Sequence, residues 1–252
     1  MVVHLLTNAS VLAGPEVFQK NVYTIHSLGP LLPLVEWVFI FIPILFHAIV
    51  GVVIAAGGLP NTANYPYSGN VRYSLQRITG IVAFVFIAWH VFHMHGWFHG
   101  KWWLEHLAAP LGGAQFRPYN AASSAALALQ SGLAVTLYAI GVTACVYHLA
   151  NGIWTMGITW GIWTSPQAQR RAGWLCGVAG IAILALGLSA LVGMTRVDRR
   201  QALEKEDQMY EGRIQLLDVP ESPQKRYSPA ERQKVTAGES QKSTTGATEN
   251  MP

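Results

Sequence analysis

Residues 33–56 read PLVEWVFIFIPILFHAIVGVVIAA, and this stretch decides the fold class. Its single charged side chain is Glu36, near the start, and its single imidazole is His47. A helix needs about 20 mostly apolar residues to cross the hydrocarbon core of a bilayer, which is about 30 Å thick. The stretch is long enough to do so, and it therefore predicts a membrane-spanning helix.

Further apolar stretches predict further helices of this kind. They cover residues 75–95, part of 125–163 with the crossing near 127–152, and 173–194. Residues 1–13 are apolar too, but a helix of that length rises only about 20 Å. We expect it to be the last half of a helix whose start lies upstream of Met1. The sequence predicts an all-α integral membrane bundle of five transmembrane helices, the first of them truncated.

Charged side chains are concentrated at the C-terminal end. Of the 30 Asp, Glu, Lys and Arg residues, 20 lie in residues 195–252 and only 10 in residues 1–194. We therefore expect a transmembrane domain over 1–194 and a charged, largely disordered tail over 195–252, with a short helix near 201–217. The net charge of +4 falls wholly in the membrane part, so nothing in the charge pattern supports nucleic-acid binding.

The two cysteines, Cys145 and Cys176, both lie in apolar runs. A C-x-x-C-H motif is absent from the sequence, which excludes covalently attached c-type haem. Because free cysteine packs as a small apolar side chain, we interpret both residues as part of the helix packing.

Four histidines lie in four different apolar stretches: His4, His47, His90 and His148. Ionisable groups inside a membrane are costly, and they usually mark a functional site. Counting residues along helices that alternate in direction puts His47 and His148 at one depth, and His4 and His90 at another. This pattern predicts two haems, each with two histidine ligands.

Two axial histidines leave no open coordination position, so such haems carry electrons and do not bind substrate. For any single histidine, a hydrogen bond that joins two helices is an equally good interpretation. Four histidines at matched depths favour the haem interpretation. His93 lies one helical turn beyond His90, and by periodicity alone it is a rival ligand.

Three stretches carry a resemblance to a known family. They are EWVFIFIPILFHA at 36–48, LQRITG at 75–80 followed by Trp89 and His90, and HLANGIW at 148–154 followed by TWG at 159–161. Together they resemble the dihaem cytochrome b anchor of succinate:quinone oxidoreductases, over residues 1 to about 194. The first helix departs from the family pattern because little of it precedes His4, and the charged tail departs from it as well.

The resemblance implies a five-helix anchor with two b haems that binds menaquinone. It implies that a flavoprotein with FAD and an iron–sulfur protein dock on the cytoplasmic face. His47 and His148 would then be ligands of the haem nearer the iron–sulfur subunit, and His4 and His90 ligands of the distal haem. A prokaryotic cytoplasmic membrane, with its lipid, would be the location.

The expected function is therefore membrane anchor and electron relay of a succinate:menaquinone oxidoreductase. The chain has no glycine-rich dinucleotide fingerprint, so succinate oxidation itself belongs to a partner, whereas quinone reactivity is expected in this subunit. One alternative is the cytochrome b subunit of a hydrogenase or formate dehydrogenase. Another, from a different class, is a transporter without haem.

Charged residues provide further site candidates, of which Arg77 and Glu36 are the two leading ones. Arg72 and Arg77 precede the apolar part of their helix, and an arginine fork suits a haem propionate; Arg77 is the stronger candidate, while a topology signal or a contact with the soluble partner is the alternative. Glu36 is expected to exchange protons with quinone, or else to be a solvated acid at a helix start.

A cluster of histidines follows the helix that carries His90: His93, His95, His99 and His106. Crowding of this kind raises the hypothesis of a surface metal site. The spacing lacks the tight ligand pattern of a zinc site, so we expect an interfacial loop instead.

Overall fold

A computed structural model of the chain describes residues 1–58, 61–98, 100–216, 225–233 and 235. Every regular element in these residues is helical. The α-helices are α1 (Val2–Ala9), α2 (Pro15–His26), α3 (Leu32–Glu36), α4 (Ile42–Ala56), α5 (Ser68–His95), α6 (Lys101–Trp103), α7 (Ala121–Ala128), α8 (Gly132–Thr159), α9 (Pro166–Thr195) and α10 (Arg199–Gln215).

Among the described residues, four helical segments are long and apolar enough to cross a membrane: Gly29–Ala56, Ser68–His95, Gly132–Thr159 and Pro166–Thr195. The first combines α3, a π-helical turn at Trp37–Phe41 and α4. A shorter apolar helix covers Val2–Ala13. The predicted all-α membrane bundle is confirmed.

The structure corrects several helix boundaries. Residues 121–128 form a separate helix, and α8 begins only at Gly132, where the Ser131 hydroxyl accepts a hydrogen bond from the Ala134 amide. In the same way the Ser165 hydroxyl accepts from the amide of Ala168, and α9 begins at Pro166 instead of residue 173. Serine and proline are favoured at these positions because a helix start has amides without helical partners.

The chain divides into two compact units, and each contains one of the predicted histidine pairs. The first unit combines Met1–Gly29, His90–Val135 and Ser189–Pro252, and the second combines Pro30–Trp89 and Thr136–Leu188.

In the first unit, α10 packs on α2 and α7, around a core of Tyr23, Tyr119 and Tyr210. Glu206 on α10 is fully buried. Its carboxylate accepts hydrogen bonds from the Ala122 amide at 2.7 Å and the Ser123 amide at 3.1 Å, at the start of α7. The tail helix predicted near 201–217 is thus found at Arg199–Gln215, as part of the packed unit.

The rest of the predicted tail is described only in part. Tyr227 is buried, and Asp207 on α10 forms ion pairs with Arg226 and Arg232. Residues 225–233 therefore pack against the first unit, which differs from the disorder expected there. Residues 217–224, 234 and 236–252 lie outside the described residues.

In the second unit, small residues let α5 and α8 approach closely. Phe86 and Tyr138 meet edge to face with ring centroids 5.5 Å apart. A Cβ atom at Gly141 would lie 2.1 Å from the Phe86 ring, so a side chain at this position would overlap it. Close backbone approach of this kind is typical of helix pairs in membranes.

Candidate functional site

The second unit brings His47 and His148 together. His47 lies on α4 and His148 on α8, and their ring centroids are 5.9 Å apart with an interplanar angle of 77°. His47 is exposed and His148 is half-buried. Two helices that are separated in sequence by α5, α6 and α7 therefore direct one imidazole each to the same place.

The first unit brings His4 and His90 together in the same manner. His4 lies on α1 and His90 near the end of α5, with ring centroids 5.8 Å apart and an interplanar angle of 72°. The two pairs thus share nearly the same spacing and angle. Both pairings are those that counting along the helices predicts, whereas the role of these histidines as haem ligands stays a prediction.

The spacing of both pairs suits a metal between the rings. Imidazole nitrogens bind metal ions at about 2 Å. Two imidazoles on opposite sides of one iron have ring centroids roughly 6 Å apart, because each centroid lies about 1 Å behind its nitrogen. The donor set of two neutral imidazoles is also one that haem iron accepts. The residues present therefore fit bis-histidine haem.

Hydrogen bonds between α5 and α8 hold the His148 imidazole. Its Nδ1 lies 3.0 Å from the main-chain oxygen of Gln76, and the Gln76 Nε2 donates to the main-chain oxygen of His148 at 3.1 Å. Asn151, which is 3% exposed, donates from Nδ2 to Gln76 Oε1 at 2.7 Å. Its Oδ1 accepts from Arg72 Nε at 2.7 Å. The Arg72 guanidinium lies 3.5 Å from the centre of the Trp154 ring.

Gly80 on α5 leaves the space that the His148 ring occupies. A Cβ atom at Gly80 would lie 2.9 Å from Cε1 of His148, closer than non-bonded carbon atoms approach. Any side chain here would displace the ring. Gly80 belongs to the same LQRITG stretch as Gln76.

The structure places the two charged candidates in the second unit. Arg77 donates a hydrogen bond to the main-chain oxygen of Gly58, and its guanidinium lies 4.1 Å from the centre of the Tyr73 ring. Glu36 is partly exposed and directly precedes the π-helical turn. The propionate contact of Arg77 and the quinone role of Glu36 both stay predictions.

The histidine cluster after α5 gives no support to a surface metal site. Within the part of the chain that the structure describes, no group of three or more His, Cys, Asp or Glu side chains is arranged to hold a metal ion. His106 stacks on the Trp102 ring, with centroids 5.5 Å apart and an interplanar angle of 14°. His99 lies outside the described residues.

Sequence reasoning missed Gln76 and Asn151 as residues that touch the His148 site. A signal for both was present, because each is an uncharged polar residue in a membrane-spanning helix, within the stretches that carry the family resemblance. Polar side chains on such helices commonly form hydrogen bonds to a neighbouring helix. Which atoms they contact depends on the alignment of α5 with α8.

Comparison with known proteins identifies the family of the chain. Residues 63–188 match the family model of the succinate dehydrogenase/fumarate reductase transmembrane subunit. The chain is also similar to the succinate dehydrogenase cytochrome b558 subunit of Bacillus subtilis (strain 168), with 31% identity over 191 residues, which covers 76% of this chain and 86% of that protein. The family-model match contains α5 and α8, which carry His90 and His148. The chain belongs to the succinate dehydrogenase/fumarate reductase transmembrane subunit family.

Proposed function

We propose that this chain is the membrane anchor and electron relay of a succinate:menaquinone oxidoreductase, with two b haems held by the pairs His47/His148 and His4/His90. The observation that carries the proposal is the repeated geometry of the two pairs, with centroids 5.9 Å and 5.8 Å apart. A structural role of single histidines does not require that two pairs share one spacing.

The protein's own residues perform the relay by fixing the ligands. Each pair joins two different helices, so the packing of those helices would set the positions of the two imidazoles. Haem held by these histidine pairs would supply one-electron exchange and would leave no position for substrate. The protein contribution is therefore ligand identity, orientation and the apolar surroundings that set the potential.

The family and the relative support the proposed partners and location. The similar protein of Bacillus subtilis is named a cytochrome b558 subunit of succinate dehydrogenase. This name supports haem b here. It also supports an assembly with a flavoprotein subunit, which carries FAD, and an iron–sulfur subunit. The four apolar helices and the bacterial relative support a prokaryotic cytoplasmic membrane. Electrons would pass between the iron–sulfur subunit and quinone.

Two charged side chains have proposed roles in this function. Arg77 is proposed to contact a haem propionate, since its bond to Gly58 uses one of the five N–H donors of the guanidinium. Glu36 is proposed to exchange protons with menaquinone, and π-helical turns such as the one after it are frequent at functional sites. Unchanged quinone-linked turnover in Glu36→Gln, with intact haem, would end the second assignment.

Haem counting in single-histidine variants tests the proposal. The complex should contain two b haems per anchor chain, and His148→Leu and His4→Leu should each retain one haem, with different midpoint potentials. His106→Leu is the control, because His106 stacks on Trp102 outside both pairs, and it should retain both haems.

Other outcomes have definite meanings. A wild-type chain without haem would overturn the proposal and favour the transporter interpretation. Two haems in a chain that co-purifies with a hydrogenase or formate dehydrogenase subunit, and not with a flavoprotein and an iron–sulfur protein, would retain the relay and overturn the assigned partners.

A further inference from the structure

We propose that Asn151 and Gln76 are positioning residues for His148: their side chains hold the main-chain oxygen of Gln76 against Nδ1 of His148, and this oxygen fixes which imidazole nitrogen is available to the iron. The inference rests on the proposed function, because it takes His148 to be a haem ligand. Neither residue touches the other three histidines of the pairs in any contact described above. Their effect should therefore fall on one haem and not on the other.

The tautomer of His148 follows from its partner. The Nδ1 atom lies 3.0 Å from the main-chain oxygen of Gln76, and a carbonyl oxygen can only accept. Nδ1 must therefore carry the proton, which leaves the lone pair of Nε2 for a metal. A second bond, from Gln76 Nε2 to the main-chain oxygen of His148 at 3.1 Å, ties the two residues together at two points.

The direction of the whole hydrogen-bond chain is fixed at both ends. Arginine can only donate, and a main-chain carbonyl can only accept. Arg72 Nε therefore faces the Asn151 oxygen, the Asn151 Nδ2 faces the Gln76 oxygen, and the Gln76 Nε2 faces the His148 carbonyl. Reversing either amide would place two donors or two acceptors against each other, so each amide holds a single orientation.

Burial of Asn151 makes the direction of these hydrogen bonds specific. Asn151 is 3% exposed, and an amide without partners in such surroundings costs free energy. The stack of Arg72 on the Trp154 ring holds the donor end in place. Gly80 completes the arrangement, because only the absence of a Cβ lets the ring approach α5 this closely.

The contact between Nδ1 of His148 and the Gln76 oxygen should affect the basicity of the imidazole as well as its orientation. A carbonyl that accepts from Nδ1–H makes the imidazole a stronger base, and loss of such a partner commonly lowers metal affinity about 10- to 100-fold. A stronger base favours ferric over ferrous iron. Loosening the Gln76 contact should therefore raise the potential of the haem at His47/His148.

The test is a redox titration of both haems in the assembled complex. Both Asn151→Leu and Gln76→Met keep the main-chain oxygen of Gln76 and only loosen its hold on Nδ1 of His148. We therefore expect each variant to weaken the ferric preference of the haem that His148→Leu removes by a factor of a few, at most about tenfold, which raises its midpoint potential by up to about 59 mV. The haem at His4/His90 should be unchanged. Both side chains act by holding the same contact, between Nδ1 of His148 and the main-chain oxygen of Gln76. The double variant should therefore shift the potential no further than the larger single variant does.

Controls separate this effect from others. Thr155→Val removes a hydroxyl whose hydrogen bond, within the part of the chain that the structure describes, stays inside α8, to the oxygen of Gly152, and this variant should leave both potentials unchanged. Gln76→Met leaves the contact between Arg72 and Asn151 in place, so a shift common to both variants cannot arise from a displaced arginine. Gln76→Met also carries the test if Asn151→Leu fails to accumulate.

Failure of this inference is distinguishable from failure of the proposed function. If His148→Leu removes one haem but Asn151→Leu and Gln76→Met leave its potential unchanged, or shift both haems equally, the positioning role is refuted and the relay stands. If the wild-type complex holds no haem, or His148→Leu retains both, the relay itself is refuted.

Discussion

Gly80→Ala should weaken the haem site at His47/His148, although alanine is the better helix former. Replacing glycine within a helix gains about 0.5–1 kcal/mol from the backbone alone. Against this, the new Cβ would lie 2.9 Å from Cε1 of His148, where ordinary contacts begin at 3.4 Å. The ring must therefore move by about 0.5 Å. This equals the largest displacement, about 0.5 Å, that a preorganised binding site tolerates in its ligand-holding side chains.

That displacement acts on a defined bond. The contact from Nδ1 to the Gln76 oxygen is 3.0 Å long, and it is close to its useful limit after such a shift. Its loss costs about 0.5–1.5 kcal/mol, and an off-rotamer imidazole costs a similar amount. The costs exceed the helix gain by about 1 kcal/mol, which corresponds to about fivefold weaker retention of this haem. Gly80→Val, with a larger side chain, should lose it almost completely.

The assay is haem content together with the midpoint potential of each haem after purification of the complex. Gly177→Ala is the matched control, because it also lies within a helix of the second unit and its Cβ would meet nothing within 4 Å. If Gly80→Ala and Gly80→Val retain both haems with the properties of Gly177→Ala, the steric argument is wrong.

Two further predictions concern the packed tail. Burial raises the pKa of Glu206 to about 7 despite its hydrogen bonds to Ser123 and Ala122, so the protonated form is favoured in the folded state. The contribution of Glu206 to the packing of α10 on α7 should be complete below about pH 4.5 and should fall by about 3 kcal/mol as the pH rises through 7. The measurement is the pH dependence of hydrogen-exchange protection in α10, which Glu206→Gln should abolish. The same pH dependence in Glu206→Gln as in the wild type would contradict this prediction. Asp207→Asn, which removes the partner of Arg226 and Arg232, should loosen residues 225–233 by about 1–3 kcal/mol and speed tryptic cleavage there. Glu204→Gln, at an exposed pair with Arg200, should leave that rate unchanged.

Much of the fold could be predicted because a bilayer imposes a strong, local constraint. Apolar runs long enough to span it, such as residues 33–56, become helices whatever their neighbours do, since backbone amides in lipid must be satisfied within the segment. The positions where helices begin and end are specified less strongly. The break between α7 and α8 depends on the Ser131 cap, a short-range signal within a continuously apolar stretch.

The sequence by itself determined the class of the protein: helices of spanning length, four histidines placed along them, and a charge distribution that separates membrane from tail. Only the tertiary structure decided which polar atoms meet. Gln76 and His148 are far apart in the chain, and Glu206 reaches the start of α7 from a segment whose composition resembles a disordered tail. Helix formation follows from local composition, whereas the orientation of an imidazole or the burial of a carboxylate depends on the alignment of distant helices, which composition does not specify.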